Sequence, residues 1–249
     1  MSIRCLKLTV AYDGTHYAGW QIQPDLPTVQ AELEKAWQQI TGETVRLTAS
    51  GRTDAGVHAW GQVVGVQTTS DLSVDRLLRG LNAVLPENAV VREVVEAPAN
   101  FHATHDALRK CYRYLIHNSA VRPLFDRPYV WHVPTQIDAE AMSRAGQGLV
   151  GRHDFASFES SGSERASTVR TVTRLEILVD REIPGRIVVE VEGDGFLYNM
   201  VRTIVGTLVE VGRGVRPESW PAEVLACRDR RLAGQTAPPQ GLCLWQVDY

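Results

Sequence analysis

The sequence of 249 residues lacks most marks of a membrane, secreted or metal-clustered protein. It contains no run of about 18 apolar residues, so no membrane-spanning segment is expected. Residues Met1 to Tyr12 hold no continuous apolar stretch and no small-residue cleavage site, so no secretory signal is expected. Its four cysteines, Cys5, Cys111, Cys227 and Cys243, are far apart and form no Cys-x-x-Cys pair. They suit neither a zinc cluster nor a disulfide framework, and they fit a reducing cytoplasm. Lysine is almost missing, with 3 residues against 23 arginines, and the net charge of −3 gives no bulk basic surplus. Arginine forks phosphate bidentately where lysine cannot, so this bias is compatible with an RNA or phosphate partner. Codon usage in a GC-rich genome produces the same bias. What remains is 44% hydrophobic and 22% charged residues, the composition of a folded globular chain.

Apolar periodicity outlines mixed elements. Ile3 to Tyr12 alternates as a strand and is broken by Asp13-Gly14. Thr28 caps an expected helix with the stripe Val29, Leu33, Ala36, Trp37 and Ile40, and Gly42 ends it. Strands are expected at Val45 to Ala49, Gln62 to Thr68 and Ala89 to Val95, with a helix between Ser73 and Pro86. The second half offers a strand at Cys111 to His117, a helix near Asp138 to Val150, and strands at Arg170 to Val179 and Arg186 to Glu192. A long helix near Phe196 to Val211, a short one near Pro217 to Cys227 and a final strand, Leu242 to Val247, complete it. Strands and helices mix in both halves, which predicts an α+β protein of two α/β subdomains, 1–105 and 106–249.

The densest chemistry is Ala49-Ser50-Gly51-Arg52-Thr53-Asp54-Ala55-Gly56-Val57-His58, a loop between two expected strands. Its glycines permit sharp turns or close approach of a ligand. With a reference pKa of about 3.9, Asp54 is ionised at neutral pH. From local chemistry alone it is a nucleophile, a metal ligand or a turn former. No Gly-Lys-Ser/Thr follows, which excludes a P-loop. His102 and His105 lack a Glu-x-x-His arrangement or a third clustered ligand, so no metal site is expected.

Gly51-Arg52-Thr53-Asp54-Ala55-Gly56-Val57-His58, followed by Gly61-Gln62-Val63, resembles the active-site motif of the tRNA pseudouridine synthase A family. The resemblance continues in Asn100-Phe101-His102-Ala103, Tyr112-Arg113-Tyr114, His153-Asp154-Phe155 and the run from Gly193 to Arg202. These blocks keep the family's order and cover nearly the whole chain. The resemblance implies isomerisation of uridine to pseudouridine at positions 38 to 40 of the tRNA anticodon stem-loop. It implies no cofactor, no metal, and a homodimer holding RNA in its cleft. It also implies the pseudouridine synthase fold, two α/β domains sharing a mixed, mainly antiparallel sheet with flanking helices; the first would carry the catalytic loop and the second would complete the cleft.

By the same resemblance Asp54 is the catalytic carboxylate and Arg52 contacts the RNA, holding the flipped target. Tyr112 stacks on the uracil, and Arg202 pairs with the carboxylate. Phe101, His102, Arg109, Lys110 and Arg113 would face the RNA backbone, in a stretch from Phe101 to Val130 whose local charge excess is +3. Thr104 and His105 depart from the family pattern of an arginine and an aromatic. The polar loop Ser161 to Arg165 is read either as an RNA-contacting segment, with Arg165 its cation, or as a plain linker. Two other readings compete: an RNA chaperone on the same scaffold, and a small-molecule enzyme with a phosphate-binding glycine loop. A pure binder has no need of Asp54, and no nucleotide fingerprint supports the third reading.

Overall fold

A computed structural model describes residues 3–160, 162 and 167–249. The fold is mixed α+β and divides into two compact units, the first running to Leu108 and taking in Leu244–Tyr249, the second spanning Arg109–Cys243. The last six residues therefore belong with the first unit, whereas the sequence division placed them in the second.

In the first unit the elements run β1 (Arg4–Tyr12), α1 (Val29–Thr41), β2 (Thr48–Ala49), β3 (His58–Thr68), α2 (Val74–Val84) and β4 (Ala89–Ala97). β1 is the central strand, antiparallel to β3 on one side and β4 on the other, and β2 adds to β3. Leu6, Leu8 and Val10 of β1 are fully buried, as are Leu33 and Trp37 of α1 and Leu77 and Leu81 of α2, so the two helices share the sheet's core. The caps are those the sequence announces. Thr28 Oγ1 accepts from Ala31 N, Ser73 Oγ accepts from Arg76 N, and Gly42 closes α1 in the left-handed region at φ 76°.

Val45 to Leu47 is not a strand. The Leu47 N–H donates to Glu34 Oε1 at 3.0 Å, and the Leu47 carbonyl accepts from Gln30 Nε2 at 3.0 Å. Side chains of α1 thus satisfy backbone groups that a neighbouring strand would otherwise need. Just before, Glu43 fastens the end of α1 to the end of β3. Its carboxylate accepts from Thr69 N at 2.7 Å, from the hydroxyls of Thr68 and Thr69, and from Trp37 Nε1 at 3.4 Å. Burial alone would raise the carboxyl, but these hydrogen bonds outweigh it and bring the pKa down to about 2.

In the second unit the elements are β5 (Arg109–Asn118), β6 (Trp131–Val133), α3 (Ala139–Gly146), β7 (Gly151–Asp154), β8 (Val169–Val179), β9 (Arg186–Gly193), α4 (Met200–Gly212) and α5 (Trp220–Cys227). β9 pairs antiparallel with β5 and β8, β8 with β7, and the short β6 runs parallel to β5. α3 packs on α4 and β8, and the core gathers Tyr114, Ile116, Met142, Leu149, Phe155, Phe158, Val189, Val191, Ile204 and Leu208.

The opposite face of this sheet is charged. Glu190, 5% exposed, receives Arg113 Nε at 2.5 Å and Arg174 Nη1 at 2.9 Å. Arg109 Nη1 lies 3.6 Å from Glu192 Oε1. The local excess of positive charge is thus partly offset in place. Cys111 sits beneath these pairs, and burial first, then the Glu190 charge, push its thiol up to about 11. All four cysteines are free thiols. The final strand, β10 (Leu242–Asp248), starts in the second unit and ends in the first. Among the described residues no helix is long and apolar enough to cross a membrane.

Candidate active site

The loop carrying Asp54 is framed within the first unit. From the sheet side, Ser50 N donates to Val63 O at 2.8 Å and the Tyr12 hydroxyl meets Thr53 Oγ1 at 2.7 Å. The β1–β3 register shifts by one residue between Val10 and Tyr12, beside this contact, with the extra residue on β3. From the other side, Trp20 N donates to Thr53 O at 3.0 Å and Gly56 N to Tyr17 O at 3.3 Å. Val57 N closes a turn on Asp54 O at 3.1 Å.

Two glycines outside the motif make room for this frame. A Cβ on Gly14 would lie 2.0 Å from Val57 O, and one on Gly19 would lie 2.7 Å from Thr53 O. Gly19 also holds φ at +106°, which side-chain-bearing residues rarely adopt. His58, at the loop's exit, accepts from Gly14 N at 3.0 Å through Nδ1, which also lies 3.2 Å from Asp13 Oδ1. It is a structural hydrogen-bonding residue. Asp54 is half-buried, and Arg52, two residues before it, is exposed with no side-chain hydrogen bond or ion pair among the described residues.

Phe101 and His102 belong to the same unit. The Phe101 ring lies over Gly65 of β3 and 5.1 Å from the Tyr249 ring. His102 is exposed, and its Nδ1 accepts from Thr104 N at 3.2 Å and His105 N at 3.3 Å. Its own N–H donates to Asp106 Oδ2 at 2.8 Å, and the two histidine rings stand 4.1 Å apart. This turn is tied to the strand leading into the Asp54 loop, because Thr104 Oγ1 donates to Ala49 O at 2.7 Å. The departures at Thr104 and His105 therefore serve the turn itself. Among the described residues no group of three or more histidine, cysteine or acidic side chains could hold a metal.

Tyr112, Arg109, Lys110 and Arg202 lie in the second unit. Tyr112 is 8% exposed on the core-facing side of β5, with the Phe196 ring edge-on at 5.2 Å. Tyr114, two residues on, is wholly buried and donates to Pro238 O at 2.7 Å. Burial raises its pKa, and the Arg202 charge opposes that shift only in part. Arg109 and Lys110 begin β5, with Lys110 half-buried opposite Gly193.

Arg202, on the first turn of α4, is half-buried, and its guanidinium is held in place. Nε donates to Ala237 O at 2.7 Å and Nη1 to Asn199 Oδ1 at 2.6 Å. Asn199 adopts the left-handed conformation, φ 60°, so α4 starts at Met200 and not at Phe196. Arg165 lies outside the described residues. Sequence reasoning missed Tyr12, Gly19 and Trp20 as parts of the loop's frame, because each reaches it from a distant stretch of chain.

Comparison with known proteins adds an independent line. A family model described as tRNA pseudouridine synthase matches residues 8–106 and 145–249. A relative in Brevibacillus brevis, tRNA pseudouridine synthase A, is 47% identical over 244 residues, covering 98% of this chain and 99% of its own. A protein of the same name in Moorella thermoacetica is 48% identical over 248 residues, with the same coverage. The crystal structure of an archaeal box H/ACA sRNP Nop10–Cbf5 complex resembles 82% of this chain and 43% of that one, at 14% identity and a TM-score of 0.33. That likeness is too slight to argue from. The sequence relatives are not: on their identity and near-complete coverage, this chain belongs to the tRNA pseudouridine synthase family.

Proposed function

We propose that the protein isomerises uridine to pseudouridine at positions 38 to 40 of the tRNA anticodon stem-loop, with Asp54 as the catalytic carboxylate. The observation that carries this reading is the loop of Asp54. It is hydrogen-bonded from two sides, yet offers an exposed Arg52 with no side-chain partner among the described residues. The reaction breaks the C1′–N1 bond, turns the uracil and forms a C1′–C5 bond; C5 loses its proton and N1 gains one. No electrons change hands, so the chemistry balances without a redox cofactor. The carboxylate attacks C6 or C1′, or removes the 2′ proton. The base must leave its stack to reach any of these positions.

The other residues take roles that their surroundings suit. Arg52 grips a phosphate and holds the flipped nucleotide. The Tyr112 ring, set by Phe196, stacks on uracil. Arg202, set by Asn199 and Ala237, supplies a fixed positive charge. Phe101, His102, Arg109 and Lys110 contact the RNA backbone. The protein acts as a homodimer in the cytoplasm. Exposed Val121, Leu124 and Phe125 suit association, and four free thiols suit a reducing compartment.

The deciding experiment is tritium release from tRNA transcribed with [5-³H]uridine. Wild type releases tritium; Asp54→Asn releases none while binding tRNA within a few-fold of wild type. Release by both proteins removes Asp54 from the chemistry. No release by wild type, with binding intact, makes the protein an RNA chaperone.

A further inference from the structure

Gln62 lies on β3, wholly buried, and its amide faces the segment that leads into Asp54. Nε2 donates to Gly51 O at 2.9 Å, and Oε1 accepts from Ser50 Oγ at 2.7 Å. Nε2 also approaches the Tyr12 hydroxyl at 3.5 Å, and that hydroxyl meets Thr53 Oγ1 at 2.7 Å. Residues 50, 51 and 53 are therefore each tied to the sheet through this one pair of side chains.

A buried amide costs free energy unless its groups are paired, and an apolar residue would fill a strand position without that cost. Here the polarity faces Ser50 and Gly51 of the Asp54 loop and Tyr12, the tyrosine that grips the same loop. Ser50, Thr53 and Tyr12 are buried too, so water does not compete for these bonds. The bonds act on the Gly51 carbonyl and on the Ser50 and Thr53 hydroxyls, all just ahead of Asp54.

We propose that Gln62 and Tyr12 are positioning residues for Asp54: together they fix the backbone ahead of it, so that its carboxylate meets the reacting uridine along one line of approach. This rests on the reading of Asp54 as the catalytic carboxylate. Neither residue touches the substrate. Their effect belongs in kcat, because misplacing a reacting group by about 1 Å can cost roughly 100-fold in rate.

The test uses the full-length protein and the tritium assay, with melting temperature measured alongside. Gln62→Leu keeps the volume and removes both hydrogen-bonding groups, and Tyr12→Phe removes a single oxygen. We expect kcat to fall about 100-fold in the first and about 10-fold in the second, with KM for tRNA within roughly threefold of wild type.

Gln62→Glu separates positioning from packing. An ionised glutamate still accepts from Ser50 but cannot donate to Gly51 O; a protonated one does both. The ratio of wild-type to variant kcat should therefore narrow by about tenfold between pH 8.5 and pH 6, as a carboxyl in this buried site takes up a proton. Unchanged kcat in all three variants overturns the proposal, as does a ratio that stays flat with pH. So does a loss that tracks only the fraction of unfolded protein. If wild type itself releases no tritium, or if Asp54→Asn stays active, the reading of the reaction fails first and this proposal falls with it; if Asp54→Asn is inactive while the Gln62 and Tyr12 variants keep wild-type kcat, this proposal alone fails.

Discussion

Asn199 holds Arg202: its side-chain oxygen accepts from Nη1 at 2.6 Å, across the first turn of α4, while its backbone stands in the left-handed region at φ 60°. One residue thus both ends the preceding turn and aims the cation. Asn199→Gly should keep the backbone and lose the aim, whereas Asn199→Ala should lose both. A hydrogen bond to a charged group is worth about 1.5–3 kcal/mol, and left-handed strain adds roughly 1–2 kcal/mol for alanine. Denaturant titration should place Gly between wild type and Ala. Equal losses in the two variants would show that the backbone conformation carries no strain.

Tyr112 is proposed to serve by its ring. Tyr112→Phe should then keep tRNA affinity, while Tyr112→Ala loses about 1–3 kcal/mol of stacking, a shift readable in a filter-binding Kd. If Tyr112→Phe alone stops tritium release with affinity intact, the hydroxyl carries a proton in the reaction.

Gly14 and Val57 meet backbone to backbone. Because a Cβ at Gly14 would stand 2.0 Å from Val57 O, and the obstacle is main chain, Gly14→Ala should displace the Asp54 loop. A destabilisation of about 1–3 kcal/mol or more is expected for such overpacking. Its melting temperature and tritium release should fall together. A fully stable, fully active Gly14→Ala would disprove the tight approach.

Glu43 should make stability depend on acid. Its folded pKa of about 2 lies below the unfolded value, near 4.3, so the stabilisation is complete above that value and lost as pH falls toward 2. Glu43→Gln should melt below wild type at pH 7, and the two curves should converge by about pH 2. Parallel curves across that range would mean the carboxylate does not hold the Thr68–Thr69 corner.

The helices bounded by local caps were legible in the sequence, because a cap acts within one turn: Thr28 and Gly42 around α1, Ser73 before α2, Asp138 before α3. Elements set by distant partners were not. β6 and β7, of three and four residues, are too short to show alternation and exist through pairing with β5 and β8. β3 begins at His58, before the expected Gln62, since β1 reaches it through Tyr12 opposite Ala59. The site divides in the same way. Asp54 and Arg52 stand in one dense motif, while Tyr12 and Gln62 are met 41 and 12 residues away from the loop residues they bind.

The mixed ownership of β10 has a consequence for synthesis. The second unit is a single continuous stretch of chain, whereas the first needs Leu244–Tyr249. Those residues stack Trp245 on Trp60 at 5.8 Å, pair Asp248 O with Leu108 N, and fasten the Tyr249 hydroxyl to Ala103 O. Domains usually mature in the order in which the ribosome delivers them. Here the portion made first must wait for a stretch made after the whole second unit, so the Phe101–His105 turn acquires its Tyr249 anchors only once that residue has left the exit tunnel.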